Sequence, residues 1–206
     1  MTVFDAVRMV FVVALSGLLL AACSRAPSLP SLGPDDVVLA FGDSLTAGVG
    51  VAPGQAYPAQ LAGLIGRRVV NAGVSGETTA EGLERLGAQL DEYNPRLLLL
   101  CLGGNDMLRR VPTETTAANL RTMVRMARDR GVAVVLIGVP QPSLLGGAPA
   151  FYASIAKEFD LAYEDEIFDD VLHDRQLKSD TIHANAAGYR QVAERLAELL
   201  RAGGAV

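Results

Sequence analysis

Three side chains that lie far apart in the sequence, Ser44, Asp180 and His183, are of the types that nucleophilic catalysis on an acyl group requires. A serine hydroxyl is a poor nucleophile until a base takes its proton, and an imidazole is the side chain best suited to that task near neutral pH. Asp180 precedes His183 by three residues, so it can hold the second ring nitrogen of the imidazole from the same loop. The sequence therefore predicts Ser44 as nucleophile, His183 as base and Asp180 as the residue that orients the base.

Two further residues have the chemistry to stabilise the negative oxygen that forms when a serine attacks a carbonyl. Backbone N–H groups and side-chain amides are the usual donors to such an oxyanion. Gly73 and Asn105 follow the second and third apolar runs of the chain, and the missing side chain of Gly73 would let a substrate approach the backbone. We predict an oxyanion hole made of the backbone N–H groups of Ser44 and Gly73 and the side-chain amide of Asn105.

The elements that must position these residues are visible as short apolar runs separated by helical patterns. Strands buried on both faces, typical of a parallel sheet under helices, are predicted over 37–41, 68–70, 97–102 and 132–139, with a fifth near 161–163. A helix is predicted over 113–130 after Pro112, and the last helix follows Asn185 as its N-cap.

Alternating strands and helices predict an α/β fold, a three-layer α/β/α sandwich around a flavodoxin-like, parallel, five-stranded sheet. With the strand order 2-1-3-4-5, the first strand lies between the second and the third. Ser44 would then lie between Gly73 and Asn105 at the carboxyl edge of the sheet, where such folds bind their ligands.

The N-terminus has the pattern of a targeting segment. Residues 10–22 form an apolar stretch shorter than the about 20 residues that cross a bilayer, so 1–22 is predicted to be a signal peptide. Leu20-Ala21-Ala22-Cys23 resembles the lipobox of bacterial lipoproteins, in which the cysteine receives a lipid. An ordinary cleaved signal peptide and an uncleaved anchor are the alternatives.

The segment after Cys23 is expected to connect that lipid to the folded part of the chain. Residues 23–35 are rich in Pro and Ser and predict an extended tether, and one folded domain is expected over 36–206. These features predict export to the periplasm and a lipid anchor in the membrane. Ser24 resembles the residue found in outer-membrane lipoproteins, which favours the outer over the inner membrane.

Composition and charge exclude several function classes. The formal net charge is −5, which gives no basic stripe for nucleic acid. Cys23 and Cys101 have different surroundings and predict no disulfide, and Cys101 is expected to be an inert core residue. No clustered His and Cys spacing predicts a metal site. We therefore expect no cofactor and no metal, and a monomer whose partners are a small-molecule or lipid acyl ester and the membrane.

The blocks around Ser44, Gly73, Asn105 and the Asp180–His183 pair together resemble the SGNH (GDSL) hydrolase superfamily. The resemblance runs from about residue 37 to 200. The stretches FGDSLTAGVGVAPGQAYPAQL and LKSDTIHANAAGYRQVAERLAELL are similar to its thioesterase I and arylesterase branch. This implies a serine hydrolase of acyl esters, thioesters or lysophospholipids with an acyl-enzyme on Ser44. One departure is Ala184, where the branch commonly has proline after the catalytic histidine, which bears on the rigidity of that loop.

Other interpretations of the same residues stay open at this point. Gly-Asp-Ser-Leu alone is a weak signal, because any turn between a strand and a helix uses these residue types. A flavodoxin-like module could bind a phosphate through Ser44, although this leaves the Asp180–His183 pair unexplained, and a catalytically inactive surface lipoprotein is the second alternative. Structural hydrogen bonds are expected for Asp43 and Asp106, and a solvated surface position for His173.

The loop after the fourth strand, residues 140–147, is expected to set acyl specificity. Its prolines and glycines indicate a loop, and we predict that Leu144 and Leu145 line an acyl pocket. No long apolar insertion is present to form a deep tunnel or lid, so short or medium-length acyl groups are expected.

Overall fold

A computed structural model describes residues 27–141 and 146–206, so Cys23, Leu144 and Leu145 lie outside the described residues. Its strands are β1 at Val37–Gly42, β2 at Arg68–Gly73, β3 at Leu97–Cys101, β4 at Ala133–Ile137 and β5 at Ala162–Glu164. They form one parallel sheet in the order β2-β1-β3-β4-β5. The predicted α/β architecture and strand order are confirmed.

Helices connect the strands and cover both faces of the sheet. In the described residues they are α1 at Ser44–Ala47, α2 at Tyr57–Ile65, α3 at Thr79–Tyr93, α4 at Gly104–Leu108, α5 at Thr113–Arg128, α6 at Ala150–Phe159, α7 at Ile167–His173 and α8 at Ala186–Ala202. Helix α8 packs against α2 and α7, whereas α5 packs against α3 and α6. These two groups form the outer layers of the three-layer sandwich.

The strands differ in burial as their places in the sheet require. All five residues of β3 are buried, because helices cover both of its faces and strands flank it on both sides. Strand β2 lies at the edge and is largely exposed or half-buried. It continues to Gly73, three residues beyond the predicted end, because 71–73 keep pairing with 40–42 of β1. The apolar pattern stops before the hydrogen-bonded ladder does.

The last helix begins as the sequence predicts. The Asn185 side chain accepts hydrogen bonds from the backbone N–H groups of Ala187 and Gly188, which have no partner inside the helix. Tyr189, Val192 and Leu196 are fully buried along one face of α8. The helix therefore fixes the position of the loop before it, which carries Asp180 and His183.

The folded part of the chain begins earlier than the expected start near Asp36. The N–H of Leu29 donates to the Gly203 carbonyl at 2.9 Å, and that of Leu32 to Ala205 at 2.8 Å. Leu32 is buried in the core, and Arg67 donates to its carbonyl. Leu29 and Leu32 therefore attach this segment to the folded domain, although its Pro and Ser content predicted an extended tether. In the part of the chain described, no helix is long and apolar enough to span a membrane.

Candidate active site

Ser44 is held at the carboxyl end of β1, where the strand turns directly into α1. Asp43 caps that helix, and its Oδ1 accepts the N–H of Leu45 at 3.0 Å. Ser44 is the first residue of α1, and only a small part of its surface is exposed. The hydroxyl therefore projects from a short, capped turn at the edge of the sheet, as the strand order predicted.

His183 reaches Ser44 from the other end of the sequence. Its Nε2 lies 3.0 Å from the Ser44 Oγ, and its Nδ1 lies 2.7 Å from the Asp180 Oδ2. With Nδ1–H donating to Asp180, Nε2 is free to accept the serine proton, which is the tautomer that a general base needs. The structure brings the three residues together in the order that catalysis on an acyl group requires.

The loop that carries Asp180 and His183 is fixed by its own hydrogen bonds. The Ser179 N–H donates to the His183 carbonyl at 3.0 Å, and Lys178 pairs with Ala184 in a short antiparallel bridge. The Asn185 amide donates to the carbonyls of Gln176 and Lys178. Ala184 is fully buried. These bonds supply the rigidity that a proline after His183 would otherwise give.

Asp180 also organises the backbone of this loop. Its Oδ1 accepts the N–H groups of Ile182 and His183, each at 2.8 Å. Burial by itself raises the pKa of Asp180, but the hydrogen bonds from the His183 ring and from these two N–H groups outweigh it and lower the pKa. The carboxylate is therefore charged at neutral pH, although half of its side-chain surface faces solvent.

Asn105 lies in the first turn of α4, the helix that follows β3. Its Nδ2 donates to the Glu77 carbonyl at 3.0 Å and lies 3.3 Å from the Asp43 Oδ2. The side-chain amide is thus tied to the loop after β2 and to the residue before the nucleophile. The structure brings Asn105 to the site that the sequence predicted.

A buried aspartate next to Asn105 holds the helix that carries it. Asp106 accepts the backbone N–H of Thr79 at 2.8 Å and the Thr79 hydroxyl, and the Thr116 hydroxyl lies 3.3 Å away. Asn119 donates to the Thr79 hydroxyl in turn. These bonds join α4 to the starts of α3 and α5, so the structural role expected for Asp106 is what the geometry supports.

The loop between β2 and α3 is fixed by a buried ion pair. Arg85 donates to both carboxylate oxygens of Glu77 at 2.7 Å and to the Ala72 carbonyl at 2.9 Å. Its guanidinium lies over the Phe41 ring, 4.1 Å from the centroid. Glu77 is almost fully buried, and its carbonyl is the acceptor for Asn105. Residue types in the sequence gave no hint of this pair, since eight positions of turn and helix separate its members.

The structure gives Gly73 a different role from the predicted one. Its N–H donates to the Asn71 side chain at 3.0 Å, and a Cβ at this position would overlap the backbone of Ala47 in α1. The glycine is required for close packing of α1 against β2, so the prediction that its N–H serves the oxyanion hole does not agree with this geometry.

Gly76, a further glycine just after β2, was not singled out from the sequence. It occupies the third position of a turn closed by the Glu77 N–H and the Val74 carbonyl, with a positive φ of 81° that favours glycine. Its N–H has no acceptor among the described residues, and its carbonyl accepts Arg109 at 2.8 Å. Because β2 runs on to Gly73, the loop that follows the strand contains Gly76, and the Val-Ser-Gly-Glu turn pattern was the signal that could have found it.

Asp43 is the most strongly perturbed carboxyl group at the site. Burial raises its pKa from 3.8 to about 7; the N–H of Leu45 opposes this, and the charges of Glu77 and Asp106 add to it. Its two oxygens face Leu45 and Asn105. The expectation of structural hydrogen bonding for Asp43 is met, and its raised pKa brings its titration close to neutral pH.

A cleft of about 490 Å³ opens beside Ser44. Its apolar wall is made of six side chains: Leu45, Leu108, Val139, Pro140, Leu172 and Ile182. Arg175, Lys178 and His173 also line the cleft, so His173 is a cleft residue although half of it is exposed, whereas the sequence predicted only a solvated surface position. The cleft combines apolar surface with positive charge next to the nucleophile.

Cys101 lies at the end of β3 and is fully buried as a free thiol. Burial raises its pKa well above 9.0, and the nearby Asp43 carboxyl adds to this. A thiol that stays protonated in the core is a poor nucleophile. Across the described ranges, no group of three or more His, Cys, Asp or Glu side chains is arranged to hold a metal ion.

Comparison with known proteins gives a family match over most of the chain. Residues 40–191 match the model of the GDSL-like lipase/acylhydrolase family. The thioesterase 1/protease 1/lysophospholipase L1 of Escherichia coli (strain K12) is 33% identical over 174 residues, covering 81% of this chain and 84% of the relative. The esterase TesA of Pseudomonas aeruginosa is 37% identical over 134 residues, 63% of this chain and 67% of the relative.

Solved structures agree with these relatives. The crystal structure of TesA has a TM-score of 0.73 at 30% identity and covers 82% of this chain and 99% of that one. The SGNH-hydrolase family esterase AlinE4 has a TM-score of 0.64 at 32% identity, covering 83% of this chain and 97% of the other. The psychrotrophic esterase EstA from Pseudoalteromonas sp., inhibited by monoethylphosphonate, has a TM-score of 0.73 at 23% identity over 81% of this chain and 97% of that one, a likeness of fold.

Proposed function

The chain belongs to the GDSL-like lipase/acylhydrolase family and is a serine esterase of acyl esters or thioesters, and from that premise we propose that Ser44, His183 and Asp180 are its catalytic residues. The observation that carries this proposal is the unbroken chain of contacts from the Ser44 Oγ through His183 to Asp180, at 3.0 and 2.7 Å. A phosphate-binding module and an inactive lipoprotein, the other interpretations of the sequence, would not need this chain of contacts.

In the acylation step, the Ser44 Oγ attacks the acyl carbonyl while His183 Nε2 takes its proton. The carbonyl π bond opens to a tetrahedral oxyanion. When it collapses, the bond to the leaving oxygen or sulfur breaks, and His183 gives that atom the proton. Asp180 keeps the imidazole in one tautomer and stabilises its positive charge.

Deacylation repeats these transfers with water as the nucleophile. His183 takes a proton from the water, whose oxygen attacks the acyl-enzyme carbonyl, and then returns a proton to the Ser44 Oγ as the acid leaves. The exposed position of the His183 loop leaves water a path to Nε2. No group beyond the three side chains is needed to balance the protons.

We assign the oxyanion hole to the Ser44 N–H, the Gly76 N–H and the Asn105 amide. Gly76 replaces Gly73 in this set because its N–H has no acceptor within the described chain, whereas Gly73 already donates to Asn71. Of the two contacts of the Asn105 Nδ2, the one to Asp43 is the longer, at 3.3 Å, so that hydrogen is the one available to an oxyanion. Donors fixed before the reaction stabilise the developing charge most.

Covalent labelling tests the assignment of Ser44. An ethyl p-nitrophenyl alkylphosphonate reacts with an activated hydroxyl, which bonds to phosphorus as p-nitrophenolate leaves, so it should add one phosphonyl group to the wild type and none to Ser44→Ala. Thr46→Ala, which removes a buried hydroxyl of the same helix, is the matched control and should label as wild type does. Labelling of the Ser44→Ala variant would refute the assignment.

We propose that the enzyme prefers short or medium-length acyl groups. An apolar cleft of about 490 Å³ supports this size, since a deep tunnel would be needed to bury a long chain. The loop 140–147 borders the cleft through Pro140 and Gln141, and Leu144 and Leu145 belong to the same loop. Rates on p-nitrophenyl esters of increasing chain length should shift towards shorter chains in Leu145→Trp; an unchanged profile would remove the loop from this role.

We further propose that the protein acts as a monomeric, exported lipoprotein anchored in a periplasm-facing membrane through Cys23, with the outer membrane favoured by Ser24. The lipobox Leu20-Ala21-Ala22-Cys23 supports the anchor. Pro27, Ser28 and Leu29 lie beside the starts of β4 and β5, whereas Ser44 lies at the opposite, carboxyl end of the strands. An anchor at Cys23 would therefore leave the cleft facing away from the membrane. Six residues from Cys23 to Leu29 reach at most about 20 Å.

Fractionation tests the anchor. Cys23→Ser removes the thiol that would take the lipid and should release the protein from the membrane fraction, while Cys101→Ser, the matched control in the core, should leave it there. Because the cleft lies at the far edge of the domain, the released protein should hydrolyse soluble esters at the wild-type rate. A Cys23→Ser variant that remains in the membrane would refute lipidation.

A further inference from the structure

The cleft beside Ser44 carries positive charge that the hydrolysis of a neutral ester would not use. Arg175 and Lys178 both line it, and neither forms an ion pair within the described residues. The chain as a whole has a formal net charge of −5, so two unpaired cations at the catalytic cleft run against the average charge of the molecule. Charges that line a concave, partly apolar surface act on a bound ligand more strongly than charges on open surface.

The acidic residues of the same segment do not form ion pairs with these cations. The Asp169 carboxylate accepts the Gly147 N–H and faces His173, and the Asp174 carboxylate accepts the Gln176 N–H. Asp180 is engaged by His183. None of these carboxylates forms an ion pair with Arg175 or Lys178. Arg175 and Lys178 therefore remain available to an anionic group of a bound substrate.

The chemistry of the reaction says which part of the substrate meets these cations. His183 must give its proton to the leaving oxygen or sulfur, so that atom lies within hydrogen-bond reach of Nε2. The leaving group then continues over the segment that carries His183, and Arg175 and Lys178 belong to the same segment. Leu108 and Val139 follow β3 and β4 on the other side of Ser44 and leave an apolar surface for the acyl chain.

We infer that Arg175 and Lys178 form an anion subsite that binds a phosphate on the leaving group of the substrate. Guanidinium and ammonium groups bind phosphate through charge-assisted hydrogen bonds, and Arg can do so with two at once. The inference rests on the proposed catalytic role of Ser44. The phosphate can belong to an acylated glycerol phosphate or to the phosphorylated carrier of an acyl thioester, and both put the same charge beyond the leaving atom.

Two pairs of substrates that differ in phosphate test the subsite and separate these sources. The ester pair is 1-octanoylglycerol and its 3-phosphate; the thioester pair is S-octanoylpantetheine and S-octanoyl-4′-phosphopantetheine. We expect the phosphorylated member of at least one pair to have the lower KM, by about tenfold, an effect that about 0.5 M NaCl should reduce. The pair that responds identifies the source of the phosphate.

The double variant Arg175→Gln/Lys178→Gln should abolish this preference and leave kcat/KM on the two neutral substrates within about twofold of wild type. Arg96→Gln/Lys157→Gln is the control, because it removes the same two charges from exposed positions outside the cleft. The control should keep the preference. Equal KM values for phosphorylated and neutral wild-type substrates, or the same loss in the control, would overturn the subsite.

The same assays separate failure of the subsite from failure of the catalytic assignment. Hydrolysis of the neutral substrates depends on Ser44, and it is measured before any phosphate is compared. Wild type that cleaves neither neutral substrate, or Ser44→Ala that cleaves them as fast as wild type, would overturn the catalytic proposal and the subsite with it. Normal neutral activity without a phosphate preference would overturn the subsite alone.

Discussion

The two sides of Ser44 are built in different ways. The Asn105 side is a buried network in which Glu77, Arg85 and Asp106 join the loop after β2 to helices α3 and α4. The His183 side is an exposed loop whose hydrogen bonds link residues within ten positions of one another. Stabilising an oxyanion needs donors that do not move, whereas a base must reach serine, substrate and water in turn. The difference in construction follows this difference in task.

The aspartates of the two sides make the same point. Asp43 is buried, and desolvation raises its pKa to about 7, whereas burial raises the pKa of Asp180 less than its three hydrogen bonds lower it. The same side chain is therefore driven towards its neutral form on one side and held charged on the other. Only the charged form stabilises an imidazolium, so Asp180 is the residue suited to the base.

Removing the nucleophile or the base should have the largest effect on kcat. Ser44→Ala removes the atom that forms the acyl-enzyme and His183→Ala removes the base, so each should lower kcat by about 10⁴-fold or more. The double variant should be little worse than either single one, because the two act as a unit. The rates are measured on a p-nitrophenyl ester. If the loss in the double variant equalled the product of the two single losses, Ser44 and His183 would not act as a unit.

On the loop side, Asp180→Ala should cost about 10²-fold less than Ser44→Ala, because the imidazole can still accept a proton. It loses the acceptor that fixes its tautomer and the charge that stabilises its cationic form. The remaining activity should rise at high pH, where hydroxide can attack the acyl-enzyme without help from the weakened general base. Asp174→Ala, a carboxylate of the same segment, is the control and should keep the wild-type pH profile.

On the network side, Asn105→Ala should lower kcat by roughly 10²–10³-fold with little change in KM, because its amide acts on the oxyanion and not on the bound ester. The pH profile should keep its shape, in contrast to that of Asp180→Ala. A rise in KM with unchanged kcat would move Asn105 from the oxyanion hole to substrate binding.

Arg85→Met should show how far the buried network supports the site. It leaves the buried Glu77 carboxylate without its partner, which should lower the free energy of unfolding by about 3–5 kcal/mol and, through a looser Asn105, kcat by about tenfold. Arg121→Met removes a more exposed ion pair with Glu158 and should cost less than about 1 kcal/mol, with unchanged kcat. Urea unfolding and initial rates measure both, and equal effects in the two variants would contradict a positioning role for Arg85.

The smallest effect is a pH dependence of stability that comes from Asp43. Its pKa is 3.8 when unfolded and about 7 when folded, so between these values the folded state alone keeps the proton. The free energy of unfolding therefore falls as the pH rises through this window. The Asp43→Asn variant has no carboxyl group at this position to titrate. Between about pH 4 and 8, the free energy of unfolding of the wild type should therefore fall by on the order of a few kcal/mol relative to that of the variant. If the free energies of unfolding of the wild type and of Asp43→Asn, measured by urea unfolding, changed equally with pH, the raised pKa of Asp43 would be contradicted.

The loop side could be predicted almost completely from the sequence. Asp180 and His183 are three residues apart, and their contact depends on one turn, so residue types and spacing were sufficient. Ser44 and Asn105 were found because each directly follows a buried apolar strand, and the strand order places those strand ends side by side. These assignments depend on local pattern and on one rule of parallel sheets.

The network side could be predicted only in part. Gly73 was predicted as a donor because β2 was expected to end at residue 70, where its apolar residues stop, although pairing with β1 continues to Gly73. The hydrogen bonds of Leu29 and Leu32 to the end of the chain could not be predicted either, because the Pro and Ser residues around them indicate a tether. In each case a backbone partner elsewhere in the fold decided the structure.

The sequence by itself determined the sheet, the nucleophile and the base with its aspartate, because apolar runs and short spacings act through neighbouring residues. Only the tertiary structure decided which glycine has a free N–H, which carboxylates are buried and which cations line the cleft. These properties depend on the distance to groups that are remote in sequence and on how much water the folded chain excludes, and neither quantity is encoded in a local pattern.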